Sequence, residues 1–389
     1  MVARFTFVSA GESHGPSLTV IVTGMPAGVR LGRDRINRDL ARRQHGYGRG
    51  GRMKIEQDEV EVTGGVRGGE TLGSPIAITI RNRDFENWRG AMDPWELDER
   101  ETHKRRVHAP RPGHVDLIGG MKYDRRDLRD VLERASARET ASRVAAGAIA
   151  KELLRNFGIE IRSGVVSVGA AGDPEYAPTW DELLAVSDDS PLRAVNASHE
   201  AAMVAEVDRA KELGETLGGT IVVAARNVPI GLGSYVQWTE KLDGRIAQAI
   251  MSIHAVKAVA IGEGVAAARR LGSEVHDAIY YAGSYSRATN RAGGLEGGVT
   301  NGQDVVVRAF MKPISTLRRG LPSVDIETHE THRSQWERSD VTAVPACGVV
   351  CEAMLAVVLA DALIATLGGD TLGDMLASHE RRSGRMERF

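Results

Sequence analysis

Two histidines stand in glycine-flanked turns where an imidazole could exchange a proton with a ligand. His14 lies in the string GESHG, directly after a strand-like run, and His114 closes the string RPGH, in which proline and glycine favour a turn. A histidine titrates near neutral pH, so either ring suits general acid–base chemistry. Taken alone, His14 is equally consistent with a residue that only hydrogen-bonds within its own turn.

Arginines are concentrated in two segments of small residues. The string RRQHGYGRGGRMK, from Arg42 to Lys54, contains no acid, and the string RASARET carries Arg134 and Arg138 four residues apart, on one face if the segment is helical. Guanidinium groups match phosphate and carboxylate in bidentate fashion, so both segments predict a site for a small polyanion. The alternatives are a solvated basic loop and an exposed helix with Glu133 and Glu139 as salt-bridge partners.

Three later strings are weak signals individually. They are GGVTNG (297–302), KPIST (312–316) and ERSD (337–340). Lys312 and Thr316 could hold a phosphate or the polar edge of a ring, while Arg338 and Asp340 place a cation and a carboxylate in one loop. Ordinary surface turns are the alternative for each.

The elements that position these residues alternate between strands and helices. Strand-like runs are predicted at Phe5–Ala10, Ser17–Thr23, Glu59–Val66, Ile76–Arg81, Ile159–Val168, Thr220–Ala225 and Val305–Phe310. Helical periodicity is predicted at Arg33–Arg43, Leu128–Phe157, Glu200–Leu213, Thr239–Val256, Cys347–Leu367 and Thr371–Glu380. The fold class is therefore mixed α and β. GETLGSPIAITIRN (69–82) also resembles GETLGGTIVVAARN (214–227), which predicts two related halves sharing one core.

Composition limits the classes of protein that fit. The chain has 389 residues, 42% of them hydrophobic, and a net charge of −2, which gives no global attraction to nucleic acid or to an anionic membrane. The apolar run 344–367 is interrupted by Glu352 and Asp361, so we expect a buried helix and not a membrane span. Cys347 and Cys351 are expected to be core thiols, and no residues have the spacing of metal ligands. The N-terminal segment lacks the pattern of a secretory signal, and this predicts a cytoplasmic protein.

Taken together and in this order, the strings resemble the chorismate synthase family. They are GESHG, RRQHGYGRGGRMKIE, RPGHVDL, ERASARETASRVA, GLGSYVQW, GGLEGGVTNG, MKPISTL, SVDIETH and ERSD, and they run from about Phe5 to about Leu367. The resemblance implies a compact β-α-β sandwich (α/β, α+β-like) that assembles as a homotetramer and binds reduced FMN. It implies an anti 1,4-elimination of phosphate from 5-enolpyruvylshikimate 3-phosphate, with no net redox change, to give chorismate for aromatic amino-acid biosynthesis.

The resemblance also implies roles for individual residues. His14 would protonate the reduced flavin or substrate region, His114 would serve near the leaving phosphate, and Asp340 would assist removal of the ring proton through the flavin. The substrate's phosphate and carboxylates would be held by Arg43, Arg49, Arg52, Arg111, Arg138 and Arg338. FMN would be held by Arg134, Ala135, Ser136, His254, Ala255, Gly298, Lys312, Pro313, Ile314, Ser315, Thr316 and Arg338. Arg43 and Arg49 also match positions assigned to NADPH, a possible reductant.

Some positions depart from the family pattern, and other functions remain open. His254 stands where asparagine is common and Ser315 where proline is common, and His45 stands at a variable position. An NADPH-dependent flavin oxidoreductase acting on another small anion would also need arginines and glycine loops. A non-catalytic anion- or RNA-binding protein would show tight binding, a steep salt dependence and no turnover.

Overall fold

The computed structural model describes residues 4–49, 57–334 and 340–389. Strands β1 to β17, in chain order, are Thr6–Ala10, Ser17–Thr23, Glu61–Gly64, Val66–Arg67, Glu70–Thr71, Ile76–Arg81, Glu160–Val168, Ala171–Gly172, Gly219–Arg226, Val256–Ile261, Ile279–Tyr281, Tyr285–Arg287, Leu295–Glu296, Val299–Thr300, Val305–Met311, Pro322–Val324 and Thr331–Arg333. Helices α1 to α12 are Arg33–Gln44, Arg89–Met92, Glu99–Arg105, Asp116–Tyr123, Arg129–Leu132, Thr140–Arg155, Trp180–Ala185, Ala197–Leu213, Leu242–Met251, Gly272–Val275, Val344–Leu367 and Leu372–Met386.

Two antiparallel sheets lie on either side of a helical layer. One has the order β1-β2-β6-β3 and the other has the order β10-β15-β9-β7-β8. In β6 the alternate residues Ile76, Ile78 and Ile80 are buried, because successive side chains of a strand point to opposite faces and one face meets the core. Strand β9 is buried at nearly every position, since it lies at the centre of its sheet and is covered on both faces.

Helices fill the space between the sheets. Helix α11 packs against α6 and covers β7 and β9. Helix α6 also lies against β1 and β2 of the first sheet, and α1 packs against α6 and α11. Gly147 of α6 contacts Ala353 of α11 so closely that an added Cβ would lie 2.4 Å from the Ala353 Cα. The small residues of both helices therefore allow this close crossing. The sandwich confirms the predicted mixed α and β class.

Helix α11 is long and apolar enough to cross a membrane by length and composition. In the fold it is the central helix of the core, and 94% of its most apolar window is buried. Cys347 and Cys351 on this helix are buried free thiols, as predicted. The burial explains why the helix is apolar on all sides.

The two sheets share a strand order and a chain path. The spatial order is β1-β2-β6-β3 in one sheet and β7-β9-β15-β10 in the other. Helix α1 connects β2 to β3, and α9 likewise connects β9 to β10. Thr71 Oγ donates to Pro26 O and accepts from Val29 N; in the second half Thr300 Oγ donates to Pro229 O and accepts from Leu232 N. The counterpart of β6 is therefore β15 and not β9. The predicted pairing of 69–82 with 214–227 is wrong in detail, and duplication of the halves stays a proposal.

Two predicted helical runs are interrupted or end early in the structure. The run 128–157 divides into α5, a turn, a 3-10 helix over Ala137–Glu139, and α6. Ser136 is extended and its side chain accepts from Arg138 N at 3.2 Å, so this serine breaks the helix by capping the segment that follows it. The run 239–256 ends as a helix at Met251, and Val256 already begins β10.

Candidate active site

A cavity of about 1100 Å³ opens where several element ends converge. The turn after β1, the end of α1, the turn before α6, the end of α9, the end of β15 and the start of α11 all contribute to its wall. The predicted residues that line it are His14, Arg43, Arg49, Arg111, His114, Ala135, Ser136, Arg138, His254, Ala255, Lys312, Ile314, Ser315, Thr316 and Asp340. Residues far apart in sequence are thus brought to one site.

Three predicted site residues that the structure describes are not part of this lining. Arg134 is exposed at the rim and donates to Ser9 O and Gly11 O, so it does not share a helix face with Arg138 as the sequence predicts. Gly298 accepts a hydrogen bond from Leu242 N elsewhere in the second half, and Pro313 does not reach the cavity. The predictions for Arg52 and Arg338 lie outside the described residues.

His14 is held by a buried carboxylate and an aromatic ring. Its Nδ1 lies 2.8 Å from Glu133 Oε1, and its ring stacks on Trp88 at a centroid distance of 3.8 Å. Burial favours a raised pKa for Glu133, but hydrogen bonds from His14 and the charge of Arg129 outweigh it and hold the pKa below its ordinary value. Glu133 is therefore an ionised acceptor.

His114 has a similar environment. Its Nδ1 lies 2.5 Å from Asp116 Oδ1, and Arg111 grips the same carboxylate with Nε and Nη2 at 2.8 and 3.0 Å. Burial opposes ionisation of Asp116, yet the hydrogen bonds from His114 and Arg111 lower the pKa of this carboxyl well below its ordinary value. Arg111 Nη1 also donates to Thr316 Oγ at 3.0 Å, which joins the RPGH turn to the KPIST string.

Two buried arginines share a single carboxylate. Arg43 Nη2 lies 2.7 Å and Arg138 Nη1 lies 2.5 Å from the two oxygens of Asp58, and Arg138 Nε donates to Asn82 Oδ1 at 2.9 Å. Burial and the charge of Arg138 lower the pKa of Arg43, and the nearby Asp58 carboxylate opposes them only in part. The three side chains carry a net charge of +1 in a place with little water, so an anion is the natural further partner.

Arg49 and Asp340 form an ion pair on the cavity wall. Their ion pair is 2.8 Å long, and the carboxylate is 19% exposed while the guanidinium is 9% exposed. Asp340 is therefore accessible from the cavity and paired with Arg49. The sequence places Asp340 in one loop with Arg338, and Arg338 lies outside the described residues.

A second part of the wall combines small, apolar and hydrogen-bonding groups. Lys312 Nζ donates to a neutral acceptor, Gly113 O, at 2.7 Å, and an added Cβ at Gly113, where φ is +80°, would lie 3.2 Å from this nitrogen. Ser136 Oγ donates to Ser13 Oγ at 3.1 Å. His254 Nδ1 is buried with no hydrogen-bond partner among the described residues, and burial lowers the pKa of this ring although Glu139 opposes the effect.

Several residues of the site were missed by the sequence analysis. Asp58, Trp88 and Arg105 belong to no recognisable motif. In the structure the Arg105 guanidinium stacks 4.0 Å from the Trp88 ring centre. Asp116 could have been found, because an acid two residues after a histidine in a proline-glycine turn can reach that ring. Glu133 was considered only as a surface salt-bridge partner. Among the described residues, no group of three histidines, cysteines or acids is arranged to hold a metal ion.

Comparisons with known proteins agree on one family. The family model described as chorismate synthase matches residues 5–364. The chain is 51% identical to the chorismate synthase of Geobacter sulfurreducens, over 96% of this chain and 97% of that protein, and 52% identical to that of Aquifex aeolicus, over 98% of each. A crystal structure described as chorismate synthase covers 99% of this chain and 99% of its own, with a TM-score of 0.80 at 44% identity.

Proposed function

Because the chain belongs to the chorismate synthase family, whose members are lyases that eliminate phosphate in the shikimate pathway, we propose that the cavity binds 5-enolpyruvylshikimate 3-phosphate beside reduced FMN. The products are chorismate and phosphate.

The buried positive charge of the cavity carries this proposal. The substrate bears a phosphate and two carboxylates. Arg43 and Arg138 share one counter-charge, and Lys312 is hydrogen-bonded to a neutral carbonyl. Arg43 and Arg138 both line the cavity, and a carboxylate or phosphate oxygen near them would offset their remaining positive charge. A substrate with several negative charges therefore compensates the positive charge of the cavity wall.

The second part of the wall fits a flavin. The cavity of about 1100 Å³ is at the large end of ligand pockets, which usually measure roughly 300–1,000 Å³, as expected for a substrate that lies against a cofactor. Ala135 and Ile314 offer apolar contact, and Ser136, His254, Lys312 and Thr316 offer polar contact to a ring edge or phosphate. When bound, reduced FMN supplies an electron transiently and recovers it.

The chain's own residues then handle protons and charge. His114 and Arg111 hold the leaving phosphate, and His14 exchanges a proton with the ligands through the ring nitrogen turned away from Glu133. Asp340 is the carboxylate that takes up the proton lost from the substrate ring. The enclosing side chains exclude water, which strengthens each of these electrostatic interactions.

One anaerobic assay tests this function. The protein is incubated with reduced FMN and 5-enolpyruvylshikimate 3-phosphate, and phosphate release is followed together with chorismate absorbance. We expect the two products in equal amounts and no lasting oxidation of the flavin. Absence of chorismate under these conditions would refute the proposed function. NADPH consumed in proportion to product would instead support the flavin oxidoreductase.

Arg43→Lys is expected to weaken substrate binding. An ammonium group keeps the charge but cannot reach Asp58 and an anion in the fork geometry of a guanidinium. One lost charge-assisted hydrogen bond costs about 1.5 to 3 kcal/mol, so KM for the substrate should rise roughly 10-fold to 100-fold. Steady-state kinetics measure this rise. Arg38→Lys, at an exposed arginine on the same helix, is the control, and equal KM values in both variants would remove Arg43 from the binding site.

The proposed setting is a cytoplasmic homotetramer. Tyr235, Val236 and Trp238 are adjacent on the surface and 75 to 79% exposed, an apolar patch of the kind that marks an interface. Trp238→Glu should therefore lower the mass measured by light scattering in solution. Leu271→Glu, at a single exposed apolar side chain in another loop, is the control. An unchanged mass for Trp238→Glu would place the interface elsewhere.

A further inference from the structure

The turn that carries His14 is fastened to one glutamate at three points. Glu133 Oε2 accepts from the backbone N–H of His14 at 2.8 Å, Oε1 lies 2.8 Å from Nδ1 of the same residue, and the Glu133 carbonyl accepts from Ser13 N at 3.0 Å. The Glu133 side chain is 1% exposed. The histidine's backbone and ring therefore depend on the same carboxylate.

An aromatic ring and an arginine complete the arrangement. Trp88 stacks on His14 with an interplanar angle of 22°, and the Arg129 guanidinium lies 5.1 Å from the Trp88 ring centre. Arg129 Nη1 also donates to Glu133 Oε1 at 3.1 Å. The four side chains form a closed ring of contacts, so the imidazole cannot rotate without breaking several of them.

The chemistry of these partners fixes the histidine tautomer. A carboxylate bonded to an arginine is ionised and can only accept hydrogen bonds, so the proton between His14 and Glu133 belongs to Nδ1. Nε2 is then the nitrogen that serves the cavity. The Asp116 carboxylate contacts His114 Nδ1 and Arg111 in the same way, which repeats the arrangement at the second histidine.

We infer that Glu133 is a positioning residue for the proposed reaction: it holds His14 with Nδ1 protonated and Nε2 turned to the ligands. The inference rests on the proposed function, because it gives Glu133 a role only through the proton handled by His14. A carboxylate that orients a histidine sets both the tautomer and the ring direction.

Glu133→Gln is the direct test in the full-length protein with FMN. Glutamine offers one acceptor oxygen where the backbone N–H and Nδ1 of His14 need two, so the ring should lose its single orientation. A positioned acid or base contributes roughly 100-fold or more to the rate, and misorienting His14 should remove part of this contribution. We therefore expect kcat to fall at least about tenfold and KM to change less than about threefold. Glu133→Asp, which keeps the charge, should recover part of kcat.

A second readout does not depend on turnover. Nitrogen-15 NMR of histidine-labelled protein, with the His14 signal assigned by its loss in His14→Ala, should report Nδ1–H in the native protein and a mixture of tautomers in Glu133→Gln. Glu152→Gln is the matched control and should leave kcat unchanged. Glu152 is a buried glutamate on α6 whose ionic partners within the described part of the chain are Arg35 and Arg155.

Native kcat and an unchanged His14 signal in Glu133→Gln would overturn the inference. A native protein that binds FMN but makes no chorismate would refute the proposed function, and the NMR result would still decide whether Glu133 fixes the tautomer. If Glu133→Gln does not fold, the same two readouts are taken on Glu133→Asp. Native values in that variant would overturn the inference, because its shortened side chain cannot keep both carboxylate contacts with His14.

Discussion

Asp340→Asn should lower kcat roughly 100-fold or more while substrate and FMN still bind, because a positioned general base contributes a factor of about 10² to 10⁴. The elimination removes an unactivated ring proton, and Asp340 is a carboxylate on the cavity wall that ligands can reach. Asparagine keeps the size and a hydrogen-bond acceptor for Arg49 but is not basic. Single-turnover measurements with both ligands saturating isolate this effect from binding.

The competing explanation is that Asp340 only holds Arg49 in place. In that case Asp340→Asn would raise KM, as loss of an arginine contact does, and turnover at saturation would stay near normal. Asp188→Asn is a suitable control, since Asp188 is a comparably exposed carboxylate that pairs with arginines outside the cavity. Near-normal saturated turnover in Asp340→Asn would remove this residue from the mechanism.

Local patterns predict the strands well because their physical cause is local. Ser17–Thr23 and Ile76–Arg81 have in the structure the bounds that alternation and flanking glycine or proline predict. Each buries one face of a sheet, and this burial selects apolar residues with period two. The helix predicted through RASARET fails for an equally local reason, since Ser136 offers the backbone a competing hydrogen bond.

The charge pairing of the site is not local and could not be predicted. The sequence identifies Arg43 and Arg138 as anion ligands, but Asp58, which they share, is 15 residues from one and 80 from the other. Which acid meets which arginine is decided by how α1, β3 and α6 pack. The net charge of the cavity, on which the proposed function depends, therefore follows only from the fold.

Glu352→Gln should lower the free energy of unfolding by about 3 to 5 kcal/mol, the usual cost of removing one partner from a buried ion pair. Glu352 is fully buried in the middle of α11, and its oxygens accept from Arg42 at 2.8 Å twice, from Lys151 at 2.8 Å and from Ser163 at 2.7 Å. Without this carboxylate, the cations Arg42, Lys151 and Arg193 would share the remaining acids of the cluster. Urea unfolding at pH 7 measures the loss.

The pH dependence gives an independent check on the cause. Burial opposes ionisation of Glu352, but Arg42 and Lys151 outweigh it and hold its pKa well below the ordinary 4.5. A carboxyl whose folded pKa is depressed contributes its full stability above its unfolded pKa and loses it as the pH falls through the folded pKa. The stability gap between native protein and variant should therefore be widest at neutral pH and should narrow below about pH 4.5.

Glu152→Gln separates buried charge from burial alone. Glu152 is as buried as Glu352, but its partners Arg35 and Arg155 are 52% and 45% exposed, so water can solvate them when the carboxylate is lost. Its cost should stay near the 0 to 1 kcal/mol of an exposed pair. Equal losses in both variants, or a gap for Glu352→Gln that does not change with pH, would show that the Glu352 ion pairs do not stabilise the fold. A large, pH-dependent loss at Glu352 alone would mean that this cluster anchors the end of α1, where Arg42 precedes the cavity residue Arg43.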